Sequence, residues 1–413
     1  MENRELDSRR WMILAASCLV NLCIGSLYAW SVFVRPMAER LTTTTGQEVT
    51  NLAIVFTLAN AVGPITMISG GAIVDRIGPK WVIRMGGILF GVGMIASGFA
   101  TSVAWLLVTY GLGVGLGVGM VYGATVSNAV KFFPDRRGLV GGIATASYGI
   151  SSVIVPIIAN ALTSVRGITQ SFVIIGAAML VAILAASIVI ESCPQGYAPS
   201  SWQASLTTVS APIFDLSWRY MLREPSFWMM ISMLLCGAFS GLMITSQASP
   251  MAQDMVGMDA SSAALVVSTL AVFNTLGRLV AGAASDRLGA VGTIRLVFVS
   301  SIAGLVLLSF AGSGHSVPFV AGVCMVGFAF GSIMGIYPGF TASQFGAKNN
   351  SVNYGIMFIG FAVAGFFGPT IMTMLYGAFG SYLPAFFTAM VLAIAGLVLT
   401  FVFQCQQSHV KTH

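Results

Sequence analysis

Gly71-Ala72-Ile73-Val74-Asp75-Arg76-Ile77-Gly78 returns later in the chain as Gly282-Ala283-Ala284-Ser285-Asp286-Arg287-Leu288-Gly289. Both stretches read G-x-x-x-D-R-x-G, and each joins the second and third apolar segments of a set of six. One tight Asp-Arg-x-Gly turn says little, but two copies at matching places make the chain a tandem repeat. The leading glycine lets two helices approach closely, and an Asp and Arg beside a helix terminus form a charge-assisted latch. A gating or structural role therefore falls to Gly71, Asp75, Arg76, Gly78, Gly282, Asp286, Arg287 and Gly289. Other pairs follow the same repeat. Lys131-Phe132-Phe133-Pro134 after the fourth segment matches Gln344-Phe345-Gly346 after the tenth, and Pro156 in the fifth matches Pro369 in the eleventh.

Composition sets the class. Of 413 residues 56% are hydrophobic and 8% charged, 47 are glycine, and the mean hydropathy is +0.89. Long glycine-rich apolar stretches between short polar connections mean an all-α membrane protein. A membrane β-barrel would show alternating short segments instead. Twelve transmembrane helices are expected, near 12–34, 51–74, 85–103, 104–130, 139–164, 168–190, 226–249, 261–284, 294–312, 317–341, 352–377 and 382–404. They form two pseudo-symmetric six-helix bundles, 1–190 and 226–413, with 191–225 as a cytoplasmic linker that partly lies on the membrane surface. Met1-Glu2-Asn3-Arg4 lacks the features of a cleaved signal peptide, so the first helix is expected to stay.

Charge placement gives orientation. Arg35, Arg40 and Arg166 lie on one side and Arg278 inside a span; every other Lys and Arg lies on the opposite side. The positive-inside rule puts that basic side, and both termini, in the cytoplasm of a plasma membrane of the bacterial inner type. The net +6 follows from this bias and does not argue for nucleic acid. Cys18, Cys23, Cys193, Cys236, Cys324 and Cys405 form no C-x-x-C pair and read as small packing residues, so neither a metal nor a disulfide framework is expected. No cofactor is implied. No nucleophile–base pair or nucleotide loop appears, which argues against an enzyme.

Arg278 is the exception to the apolar pattern. It sits in the middle of Ala263 to Ala284, with no other Asp, Glu, Lys, Arg or His at comparable depth in any predicted span. A charge there costs about 2.5–3.5 kcal/mol on insertion scales, and no Asp or Glu is placed to offset it permanently. A small anion is the natural partner. Asn274 lies one turn earlier on the same helical face, where its amide can orient the guanidinium or a carboxylate.

The repeated loop motif resembles that of the major facilitator superfamily, and the likeness covers the whole chain. The resemblance implies a substrate site between two bundles near the bilayer midplane and alternating access by rocking. Four further elements occur in order: Gly25-Ser26-Leu27-Tyr28-Ala29-Trp30-Ser31, Gly119-Met120-Val121-Tyr122-Gly123 with Lys131 to Leu139, Met221 to Trp228, and Asn353-Tyr354-Gly355. With Arg278 in span eight, they look like the oxalate:formate antiporter family and its relatives, the monocarboxylate transporters. That resemblance gives Arg278 the role of gripping the substrate carboxylate and turns Tyr28, Tyr122 and Tyr148 towards the central cavity. Leu27, Phe330, Phe358 and Phe361 would then form an apolar wall for a short carbon tail.

Three departures bear on the substrate. Oxalate carriers use a lysine in span eleven, where the matching residue here is Phe361. Animal-type monocarboxylate transporters carry a lysine in span one, which has none here. Monocarboxylate carriers commonly place an acid four residues before the arginine, and this chain has Asn274. Two unit charges about 4 Å apart interact by about 4 kcal/mol at an effective dielectric near 20, so a dianion would leave one charge without a formal partner. A lone arginine therefore favours a small monocarboxylate such as lactate, pyruvate, acetate or propionate, carried by a protein that works as a monomer. A proton is the expected co-substrate: Arg278 takes part in the coupling because, unneutralised, it disfavours closure around a desolvated charge, and Asp254, in the outer loop before span eight, is the expected proton shuttle. An oxalate/formate-type exchanger is the alternative. A small-molecule exporter fits a lone cation poorly, and a transporter-like sensor would need more than the short tails 1–11 and 405–413.

Overall fold

The computed structural model describes residues 2–46, 48–49, 52–194, 196–199, 215–312 and 316–411, without the side chains of 2–6, 260 and 408–411. Much of the expected linker, 200–214, lies outside the described residues. Among the described residues every regular element is helical. Eleven helices among the described residues are long and apolar enough to cross a membrane. One of them, Arg137–Val189, is two spans in series, broken at Gly167 with φ 77° and ψ 168°. The twelve expected spans are therefore present.

Several boundaries differ from the apolar pattern. Span one begins at Glu2, passes through a 3-10 turn over Gly25–Ala29 and continues as Trp30–Thr45. The predicted end at residue 34 marks where apolar residues stop. The helix goes on because Arg35 pairs with Glu39 one turn later at 3.1 Å, and it ends at Gly46 in the left-handed region. Span three is Pro79–Ser97 rather than 85–103: Pro79 suits a first helical turn, and Ser102 already caps the next helix by accepting from Trp105 N at 3.2 Å. Span seven runs Pro225–Val256, about two turns beyond the expected 249.

The 3-10 turn in span one has a local cause. A side chain on Gly25 would collide with the Tyr148 carbonyl and with Ser151 Cβ at 2.7 Å, so spans one and five touch through the backbone. The Leu27 carbonyl inside that turn accepts from Tyr110 Oη at 2.9 Å, deep in the fold. Span four is Val103–Phe132, with a π-helical stretch at Leu107–Val114. Its glycines at 111, 115, 119 and 123 do what their four-residue spacing suggests. Cβ atoms there would press on Leu58 at 2.8 Å, Ala59 O at 2.5 Å, the Gly63 carbonyl and Met67 at 2.9 Å, so span four lies directly on span two.

The chain divides into two compact units. The first comprises Met1–Asp135, Ser147–Leu216 and Phe345–Ile356; the second comprises Arg136–Ala146, Ser217–Gln344 and Met357–His413. In the first, span four packs on spans one, two and three; in the second, span seven packs on spans eight, eleven and twelve, and nine on twelve.

Overpacking a tight interface typically costs about 1–3 kcal/mol, and more against backbone. Gly119→Leu should therefore abolish the monodisperse peak in fluorescence-detected gel filtration. Gly292→Leu, where nothing lies within 4 Å of a built Cβ, should leave it intact.

Candidate functional site

Arg278 lies in span eight, Ala260–Leu288, and is 7% exposed. Its Nε donates to Asn274 Oδ1 at 3.1 Å and its Nη1 to the Thr145 carbonyl at 2.7 Å. Asn274 in turn donates Nδ2 to the Gly327 carbonyl of span ten at 3.4 Å. The amide thus bridges the guanidinium and a neighbouring helix, which makes it a group that orients the arginine. A guanidinium has five N–H donors; two are used here, and three remain, two of them on Nη2.

Ion pairs among the described residues include Arg9–Glu191, Arg10–Asp135, Arg35–Glu39 and Lys131–Asp75. Arg278 is in none of them, so dipoles meet its charge and no fixed anion does. Bare backbone sets its depth. A Cβ on Gly335 of span ten would lie 2.5 Å from the Arg278 carbonyl and 2.8 Å from its Cα, and one on Gly142 of span five would strike the same carbonyl. Only glycine at both places lets the three helices close around the arginine.

Three aromatic side chains of the same unit group together. Phe330 and Phe361 stack with centroids 6.2 Å apart and planes 8° apart, and Phe358 lies 4.6 Å from Phe361. Phe330 follows Ala329 on the helix whose Gly331 abuts the Asn274 backbone. Of the residues expected to form an apolar wall these three stack together, and Leu27 belongs to the first unit. Leu27 is 2% exposed at the break in span one, and its side chain is core. In the first unit Tyr148 joins Tyr122 at 5.1 Å and Tyr28 at 5.6 Å, and Tyr28 touches Phe56 at 6.0 Å.

Asp254 is not a loop residue. It lies in the last turns of span seven, and its Oδ2 accepts from Tyr382 Oη at 3.0 Å and Tyr376 Oη at 3.3 Å. The two rings stack 4.1 Å apart. Burial, and then the bond to Asp254, push the Tyr382 phenol up, so it stays a donor. Asp259 caps span eight, and hydrogen bonds from Ser261 and then Ser262 pull its carboxyl down to about 2. It stays ionised across the physiological range.

Both loop motifs place their aspartate against the start of another helix. Asp286 accepts from the N–H groups of Gly138 and Leu139 at 2.7 and 2.8 Å, at the start of span five. Asp75 accepts from Val352 N at 3.1 Å, at the start of span eleven, and from Lys131 Nζ at 2.7 Å. A carboxylate at a helix N-terminus satisfies donors that have no partner within the helix and favours the dipole. Arg76 and Arg287 beside them are exposed. Gly71 and Gly282 make room for these caps. A Cβ on Gly71 would lie 2.7 Å from the Ser351 carbonyl, and one on Gly282 would lie 2.5 Å from that of Gly138. Gly78 and Gly289 turn the chain with φ 90° and 77°.

The Thr145 carbonyl was not foreseen, because a main-chain acceptor leaves no mark in side-chain identity. The glycines at 138 and 142 of span five were the available signal: their four-residue spacing matches that of Arg278 and Gly282.

Twelve spans, a duplicated capping motif and a buried arginine define a helical membrane transporter built from a repeat. Residues 11–369 match the Major Facilitator Superfamily, and the chain belongs to that family. It is 31% identical to an uncharacterised MFS-type transporter, YhjX, of Escherichia coli K12, over 86% of this chain and 85% of that one. It is 28% identical to the oxalate:formate antiporter of Oxalobacter formigenes (96% and 92% covered) and 25% identical to monocarboxylate transporter 12-B of Danio rerio (97% and 89%). The fold matches the crystal structure of the MFS transporter FucP with a TM-score of 0.73 at 15% identity, covering 94% of this chain and 98% of FucP.

Losing a hydrogen bond to a charged group costs about 1.5–3 kcal/mol. Asn274→Leu should therefore destabilise the detergent-solubilised protein by about that much, read as a lower midpoint of thermal unfolding than wild type.

Proposed function

We propose that this protein is a secondary transporter of small monocarboxylates of the lactate, pyruvate and acetate type, working by alternating access. The observation that carries the reading is Arg278, a buried charge paired with no carboxylate among the described residues. A monoanion matches it one to one. Phe361, stacked with Phe330 and Phe358, offers apolar surface where oxalate carriers use a second cation. In this reading Arg278 grips the carboxylate, Asn274 orients it, and the three phenylalanines receive the carbon tail. Tyr28, Tyr122 and Tyr148 supply further substrate contacts as the bundles 1–190 and 226–413 rock about the linker 191–225. The protein acts as a monomer in a bacterial plasma membrane, with both termini in the cytoplasm.

A panel of labelled lactate, acetate, formate and oxalate tests the substrate class. Wild type should take up lactate or acetate in preference to oxalate. Arg278→Lys keeps the charge and loses the planar two-donor fork, so uptake should fall at least about 10-fold; unchanged uptake would remove the arginine from the site. Phe361→Lys should shift preference towards oxalate.

The monoanion is proposed to move with a proton, since an unneutralised arginine disfavours closure of a dry site. Asp254 then serves as the proton acceptor at the outer end of span seven, taking its proton from external water while its two tyrosines hold the carboxylate in place by hydrogen bonds. Raising the external pH at fixed lactate should slow uptake; a rate that stays constant would reject symport. Exchange of the oxalate/formate type is the second reading. It is favoured by the 28% identity to the oxalate:formate antiporter along nearly the whole chain.

A further inference from the structure

The first turns of span five and the last turns of span eight meet along one seam. At one end Asp286 holds the N–H groups of Gly138 and Leu139. Along the middle, Gly138, Gly142 and Gly282 bring the two backbones into direct contact. At the other end Arg278 Nη1 reaches the Thr145 carbonyl at 2.7 Å. The glycines interlock no side chains there, and hydrogen bonds at both ends pin the seam. Only one of these, that of Arg278, uses the group assigned to the substrate.

Its partner is a neutral carbonyl. In a helix that carbonyl belongs to the i to i+4 ladder, and a carbonyl oxygen has a second lone pair for an outside donor. The contact can therefore be lost without unwinding span five. A carboxylate offers the same donor a full opposite charge, which a carbonyl dipole lacks. Within reach of Arg278 it outcompetes Thr145. Asn274 need not let go: a carboxylate gripping the Nη1–Nη2 edge leaves Nε on the amide.

We propose that the main-chain carbonyl of Thr145 is the resting partner of Arg278, and that a bound carboxylate displaces it and thereby loosens span five from span eight. Arg278 would then do two things at once, binding the anion and reporting its presence to the helix that Asp286 caps. The ligand arm of this inference rests on the monocarboxylate reading above; the pin itself does not.

Hydrogen–deuterium exchange of the full chain in detergent, read at residues 137–146, tests it. Sodium lactate should speed exchange there about threefold or more, and neutral lactamide should not. Arg278→Gln should exchange fast without any ligand and show no further response, while peptides of spans nine and twelve exchange as in wild type. If that variant misfolds, Arg278→Lys, which retains the charge but loses the fork, should also exchange faster than wild type at 137–146. The proposal is overturned if a folded Arg278 variant leaves 137–146 at the wild-type rate. It is equally overturned if lactate binds, as shown by a thermal shift, and exchange at 137–146 stays constant or slows. Should lactate fail to bind wild type at all, the substrate class falls, and the ligand-free comparison of Arg278→Gln with wild type still decides the pin.

Discussion

A full positive charge held inside an apolar helix bundle must be met by something, and the second unit is arranged around meeting it. Arg278 is not neutralised by a carboxylate among the described residues. Asn274 and the Thr145 carbonyl take two of its donors, and glycines at 142 and 335 let the neighbouring helices come close enough for this to happen. Dipoles lower the cost of the charge without cancelling it. That holds the guanidinium in place within the bundle with only two of its five donors taken by Asn274 and Thr145.

The capping aspartates apply the same logic at the helix ends. Asp286 serves the start of span five and Asp75 the start of span eleven, so each copy of the repeated loop ends on the N-terminus of a later or earlier helix of its own compact unit. The two copies are unequal. Asp75 also holds Lys131, whereas Gln344, the repeat counterpart of Lys131, bonds to Gln407 instead. Duplication supplied the geometry, and divergence changed which contacts carry charge.

Much of the site was legible from residue identity alone. An arginine in an apolar span is conspicuous because lipid forbids it, and Asn274 is placed by helical periodicity, since residues four apart share a face. Phe330, Phe358 and Phe361 come from two helices, and their stacking could be expected only through the family likeness. Asp254 was misplaced because apolar length was used to end span seven. A helix continues as long as its backbone hydrogen bonds and local side-chain pairs sustain it, as Arg35 and Glu39 also demonstrate in span one.

What the sequence by itself determined is what depends on composition and period: a helical membrane protein, its internal repeat, its spans, and the one charge that apolar surroundings cannot ignore. Tertiary structure alone decided what that charge touches and what the repeated aspartates do. Both partners, the Thr145 carbonyl and the N–H groups of Gly138, Leu139 and Val352, are main-chain atoms. Every residue carries them, so no residue type announces them, and only the close approach of helices through glycine brings them within reach.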